Sequence, residues 1–236
     1  MLATAFFAYL IKGVSGFGPA LFLIPLLSLF FPASQAILLS TFLDMCLGFI
    51  LFLMVRKRID WKMIIPLTVL FFIGTTIGAR LLPLLAVDVL KKIIGVIVIV
   101  FLVLLQMEGK SSVARENKQA GLAGLTIALL AGFTGGLTGI SGPLIVLYMK
   151  FRHTKVYFRD QLIFLFFAGA VWRFLVYSYS GLRLEFFPPI IALTLGAAII
   201  GMLIGNRLHW RIGEAQFNIL ISFLLLLPAV NLIFFS

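Results

Sequence analysis

Gly132-Phe133-Thr134-Gly135-Gly136-Leu137-Thr138-Gly139-Ile140-Ser141-Gly142-Pro143 places five glycines and a proline at the centre of an apolar stretch, 120–149. Glycine permits backbone angles that other residues resist, and Pro143 lacks an N–H and suits the first turn of a helix. The stretch therefore reads as two helical arms joined by an irregular tip. The arms on either side of Gly132 to Gly142 have about 12 and 8 residues, and at about 1.5 Å per residue neither crosses a hydrocarbon core of ~30 Å. Residues 2–31 have the same design, with Gly13-Val14-Ser15-Gly16-Phe17-Gly18-Pro19 near the middle.

The solvent for such stretches is lipid. Of 236 residues 62% are apolar and 11% charged, with a mean hydropathy of +1.18, too few polar residues to cover a water-soluble fold. Apolar runs of spanning length follow one another with almost no loop between them, which leaves no space for a soluble domain. The net charge of +11 would suggest nucleic acid in a soluble protein. Here the Lys and Arg lie mainly in short connectors, so they act as topology signals and no nucleic-acid partner is expected. Cys46 lies alone in an apolar run, and His153 and His209 lie in basic connectors, so neither a disulfide nor a metal site is expected. The N-terminus has no basic segment before Lys12, and no cleaved signal peptide is expected.

Three blocks recur in order. Gly13-Val14-Ser15-Gly16 returns as Gly136-Leu137-Thr138-Gly139, 123 residues on. Arg58-Ile59-Asp60-Trp61 returns as Arg183-Leu184-Glu185-Phe186 after 125, and Gly74 to Leu81 returns as Gly201 to Leu208 after 127. The chain thus reads as a duplicated unit. The first repeat, 1–107, comprises a hairpin at 2–31 and helices at 34–55, 60–82 and 88–107. A cytoplasmic connector, 108–119, leads to the second repeat, 120–236, with a hairpin at 120–149 and helices at 160–180, 186–206 and 215–235.

Charge sets the orientation, because basic residues in short loops accumulate on the cytoplasmic side. With the Arg56 to Lys62 cluster inside, a single crossing by 120–149 would put Lys150, Arg152, Lys155 and Arg159 outside. If the stretch dips in and returns, thirteen basic residues lie inside and four (Arg80, Lys91, Lys92, Arg183) outside, with Lys12 and Arg173 within the membrane. A re-entrant hairpin plus three spans makes an odd number of crossings, so the second repeat is inverted relative to the first. The expected fold is all-α and integral to the membrane: two inverted repeats whose glycine tips approach the midplane from opposite sides.

Irregular backbone at that depth is tolerated only where protein or a water-filled cavity satisfies it, which makes each tip a candidate wall of a solute site. Gly13, Gly16 and Gly18, and likewise Gly135, Gly136, Gly139 and Gly142, leave room for a solute, while Ser15, Thr138 and Ser141 add hydroxyls. Helix N-termini facing inward favour an anion. Close packing by small residues is the rival account. It is preferred for the isolated Gly74/Gly78 and Gly201/Gly205 pairs, and the solute role for the tips. Among ionisable residues in the apolar segments, Asp44 reads either as a relay for a proton or cation or as a buried partner of Lys12. Lys12 has the further reading of attracting an anion to the first tip. Arg173, near Tyr177 and Tyr179, reads either as a snorkelling anchor or as an anion contact.

The Gly-x-[Ser/Thr]-Gly tip opening each half, the basic-acidic-aromatic run and the Gly-x-x-x-Gly that follows resemble the sulfite exporter TauE/SafE family over nearly the whole chain. The resemblance implies a multi-pass transporter of the bacterial cytoplasmic (inner) membrane, carrying sulfite, sulfonates or related organic acids and energised by an ion gradient. The partners are then a small anion, a coupling proton or cation, and the bilayer; a homo-oligomer is one option. Direction of transport is left open. A passive anion channel built on the same hairpins is the alternative. An enzyme is not expected: Asp44 has no second intramembrane carboxylate beside it in the sequence, neither histidine adjoins a nucleophile, and no cofactor motif is legible.

Overall fold

The computed structural model describes residues 1–15, 18–106, 121–152, 155–208 and 230–232, and within them the chain is helical and contains no strand. The helices are α1 Leu2–Ser15, α2 Pro19–Ser28, α3 Ala33–Val55, α4 Trp61–Leu81, α5 Val87–Gln106, α6 Leu122–Thr138, α7 Gly142–Arg152, α8 Lys155–Tyr179 and α9 Pro188–Leu208. Their ends follow local chemistry. The Asp60 carboxylate accepts the Met63 N–H and caps α4, and prolines open α2 and α9. The expected connector at 108–119 lies outside the described residues, as does the helix at 215–235 apart from 230–232, which are helical.

Among the described residues four helices are long and apolar enough to cross a membrane: Ala33–Arg58, Trp61–Leu84, Arg159–Tyr179 and Pro188–Arg207. Along α4 the exposed side chains Trp61, Ile65, Val69, Ile73 and Ile77 recur every fourth residue, and an unbroken apolar stripe of that kind on the outside of a helix suits lipid. The segment expected as a span at 88–107 forms α5. It is not among the four, and it carries Asp88, Lys91 and Lys92 in its first two turns.

Each glycine-interrupted stretch is a pair of short helices. Gly18, at φ 87°, separates α1 from α2, and Gly139, at φ 78°, separates α6 from α7. Both angles lie in the left-handed region where a side chain is strained. A Cβ on Gly124 in the first turn of α6 would overlap the Tyr148 hydroxyl of α7, so the chain after Gly139 runs back along α6. One expectation is modified. The interruption does not begin at Gly132: α6 continues through Gly132, Gly135 and Gly136 to Thr138, making it 17 residues, about 25 Å. Glycine does not break a helix where another helix fills the space it leaves.

The chain divides into two compact units, one holding Met1–Ser40, Leu85–Gly109 and Leu184–Ser236, the other Thr41–Leu84 and Lys110–Arg183. In the second unit a Cβ on Gly74, Gly78, Gly132 or Gly136 would collide with the backbone of the facing helix, at Leu129, Phe133, Phe71 and Thr75 respectively. The α4 and α6 backbones therefore touch directly, the mode of packing available to helices in lipid. In the first unit Gly13 abuts Met202, Gly201 abuts Phe6 and Gly205 abuts Leu10, so α1 and α9 meet in the same way. In both, the leading hairpin arm of one half of the sequence packs on the Gly-x-x-x-Gly helix of the other half.

A second pair of contacts crosses between the halves in the same sense. The Gln161 side chain accepts the Asp60 N–H (3.1 Å) and donates to the Arg58 carbonyl (3.2 Å), while Gln35 accepts the Glu185 N–H (3.0 Å). Asp60 and Glu185 are matched positions of the sequence repeat. Gln35 and Gln161, both buried, are 126 positions apart, within the range of the other displacements. Beside Gln161, Arg58 pairs with Asp160 at 3.3 Å and the Tyr157 hydroxyl donates to Asp60 at 2.9 Å, fastening the start of α8 to the start of α4.

Backbone contact at Gly136 leaves no volume for a side chain, whereas a Cβ on Gly196 of α9 meets nothing within 4 Å. Gly136→Val is expected to destabilise the protein by at least about 1–3 kcal/mol through overpacking. Gly196→Ala is expected to leave stability unchanged or raised. Thermal unfolding in detergent, read alongside the monodisperse fraction on size exclusion, separates the two.

Candidate functional site

A helix that ends inside an apolar environment leaves its last carbonyls without partners. At the end of α6 those carbonyls are taken up from α8. One terminal nitrogen of Arg173 donates to the carbonyls of Gly135 and Gly139, both at 3.1 Å, and the Tyr177 hydroxyl donates to Gly136 at 2.6 Å. Positions 173 and 177 are one helical turn apart and so lie on one face of α8. The Arg173 Nε donates to the Thr41 hydroxyl of α3 at 3.0 Å. Arg173 is 4% exposed and Tyr177 0%. Arg173 therefore does not snorkel to a headgroup. It is a buried cation at a helix C-terminus, where the backbone dipole favours it.

The tip itself is compact. Gly139 N–H donates back to Gly135 (2.9 Å), the Thr138 hydroxyl donates to Thr134 (2.8 Å) and accepts the Ile140 N–H (3.3 Å), and Ser141 rests against Gly135. The chain then enters α7 at Gly142-Pro143. The first turn of any helix has N–H groups with no intrahelical partner, and a Cβ on Gly142 would meet nothing within 4 Å. With the hydrogen of the Thr138 hydroxyl committed to the Thr134 carbonyl, buried positive charge, the Ser141 hydroxyl and a helix N-terminus lie within one turn of chain and its supporting helix. All three favour negative charge.

At the first tip Gly18 starts the turn and its carbonyl accepts the Leu21 N–H at 3.1 Å. Lys12 is buried on α1, with its ammonium 5.3 Å from the centre of the Tyr9 ring, within the range of a cation–π contact. Gly13, like Gly136, is occupied in packing: its missing side chain is what admits the other helix. Gly16 and the Ser15 side chain lie outside the described residues. Asp44 is half-buried on α3, one turn beyond Thr41. The second tip thus gathers Arg173, Gly139, Thr138, Ser141 and Gly142 in one unit, with Gly136 beneath them.

Tyr177 and Thr41 were not among the residues expected in a site. Tyr177 was legible only as an aromatic near a membrane surface. Its spacing of four from Arg173 is the signal that a shared face could have supplied. Thr41 sits in an apolar run with nothing in the sequence to distinguish it. Removing the Tyr177 hydroxyl in Tyr177→Phe leaves the Gly136 carbonyl unpaired in a dry site, expected to cost about 1–3 kcal/mol in thermal unfolding. Tyr179→Phe, with its side chain 90% exposed, is expected to change stability little.

No curated protein and no solved structure matches the chain. A family model does, over residues 1–232 of 236. With its apolar helices and duplicated glycine motifs, the chain belongs to the sulfite exporter TauE/SafE family of membrane transporters.

Proposed function

We propose that the protein is a secondary transporter that moves a small anion, such as sulfite, a sulfonate or a related organic acid, across the bacterial inner membrane by alternating access. The observation that carries this reading is the second tip, where the buried guanidinium of Arg173 holds the Gly135 and Gly139 carbonyls just before α7 begins, and a Cβ on Gly142 would meet nothing within 4 Å. Family membership supports a transport role. The fold-back of α7 along α6 supports a re-entrant hairpin, since neither helix is long enough to cross ~30 Å. The matched glycine and glutamine contacts support duplication, and the distribution of Lys and Arg supports inversion of the second repeat.

In this mechanism each hairpin tip supplies its own polar groups to the anion. The second offers Arg173, Ser141 and the N–H groups at the start of α7, with Thr138, bonded to Thr134 and Ile140, holding the turn. The first offers Lys12, Ser15 and the turn from Gly13 through Gly16 to Gly18. Asp44 carries the coupling proton or cation, since a carboxylate in a membrane helix costs ~2.5 kcal/mol or more unless it is compensated. A passive channel remains the competing mechanism, and flux tells them apart. In sealed proteoliposomes a carrier saturates with sulfite and responds to an imposed proton gradient; non-saturating flux indifferent to the gradient identifies a pore.

Two further outcomes are expected. Asp44→Asn reduces gradient-driven uptake by at least about tenfold while the protein remains folded in the membrane. Full activity with unchanged proton dependence removes Asp44 from coupling. In a Cys46→Ala background, single cysteines at Lys110 and Lys155 react with a membrane-impermeant maleimide from the same, cytoplasmic, side. Reaction from opposite sides rules out the re-entrant hairpin.

A further inference from the structure

We infer that the turn joining α3 to α4 holds an anionic phospholipid, with its headgroup among Arg56, Lys57 and Lys62 and its acyl chains along the outer face of α4. The inference goes beyond the transport reading and assigns a partner to a surface that reading does not use. The chain leaves α3 through a 3-10 turn, Arg56–Arg58, whose side chains are all exposed, and Lys62 in the first turn of α4 is exposed as well. Arg58 is committed to Asp160. Asp60 is committed to the Met63 N–H and the Tyr157 hydroxyl. Arg159, at the start of α8, lies within electrostatic reach of Arg58 and Asp160. Arg56, Lys57, Arg58, Lys62 and Arg159 thus outnumber Asp60 and Asp160 among the described residues here, and Arg56, Lys57 and Lys62 have no ion-pair partner among them.

The sequence repeat separates these cations from the one that the two halves share. At the displacement of 125, Arg58 corresponds to Arg183 and Asp60 to Glu185, whereas Arg56, Lys57 and Lys62 correspond to Gly181, Leu182 and Phe187. The shared arginine is the one in the ion pair; the three unpaired cations are additions to the first half. Below them runs a face of α4 suited to acyl chains. From Lys62 it continues through the exposed Ile65, Val69, Ile73 and Ile77 to the exposed Arg80, with no other charge between. The 18 positions from Lys62 to Arg80 span about 27 Å at ~1.5 Å per residue, close to the hydrocarbon thickness of ~30 Å. The basic turn therefore lies at headgroup level, where lysine and arginine side chains extend to phosphates. Trp61, exposed and packed edge-on against Phe164, is the kind of aromatic that belongs at that level. Each cation at the surface favours an anionic lipid by about fivefold, and three unpaired ones converge on one short turn.

Phosphatidylglycerol and phosphatidylcholine with the same acyl chains are suitable probes, since both carry a phosphate and they differ in net charge. Native mass spectrometry of the full chain, released from detergent with equal amounts of the two, counts the lipids retained. The wild type is expected to retain phosphatidylglycerol at least about fivefold over phosphatidylcholine. The triple substitution Arg56→Gln, Lys57→Gln, Lys62→Gln is expected to abolish that preference. Removing two charges elsewhere, with Lys91→Gln and Lys92→Gln on α5, is expected to leave it in place. A photoactivatable phosphatidylglycerol is expected to label the wild type within residues 55–69, and this decides the matter if the triple variant fails to elute as a folded species. Equal retention of the two lipids by the wild type overturns the inference, as does a preference unchanged in the triple variant or labelling confined to other segments. An equal loss in the α5 variant makes the preference a matter of total charge and overturns the site as well. The basic turn would then be a topology signal alone.

Discussion

Backbone N–H and C=O groups at membrane depth have no water to bond, and a chain that stops a helix there must satisfy the exposed groups internally. The end of α6 meets that constraint with two side chains from a single face of α8. Arg173 takes the carbonyls of Gly135 and Gly139, and Tyr177 takes that of Gly136. The carbonyl end of the broken helix is thereby closed.

The glycines serve this arrangement from the other side. Gly132 and Gly136 let α6 lie directly on α4, whose own Gly74 and Gly78 return the contact, and Gly13 does the same for α1 against α9. Packing without side chains fixes where each short helix sits, although neither is long enough to be anchored at both membrane surfaces. Because the leading arm of each helix pair, α1 or α6, rests on a helix from the other half of the sequence, the unit that repeats in sequence differs from the unit that packs.

Much of this was legible in the sequence because membrane solvent imposes simple rules. Apolar runs of spanning length located α3, α4, α8 and α9, and the Gly74/Gly78 and Gly201/Gly205 pairs are at helix contacts, as small residues in membrane helices usually are. The glycines of the tips were harder. Composition could not separate Gly139, whose φ of 78° makes the turn, from Gly136, which sits inside a helix and packs on Thr75, since both readings call for the same residue. The length of α6 was underestimated for that reason. Arg173 was singled out by its charge, but its role as partner to carbonyls depends on contacts far apart in sequence. The glutamines at 35 and 161 escaped notice because one polar residue near a helix start resembles any other until its acceptor is known.

The central claim is that the second glycine tip turns inside the hydrocarbon core. Position 142 suits a depth measurement, since there is open space around its Cβ. A nitroxide attached to Gly142→Cys in a Cys46→Ala background, with its depth read by power-saturation electron paramagnetic resonance in bilayers, is expected to lie well within the ~30 Å hydrocarbon layer. A label found at the headgroups on either side would mean that 120–149 does not turn within the membrane, and would contradict the account.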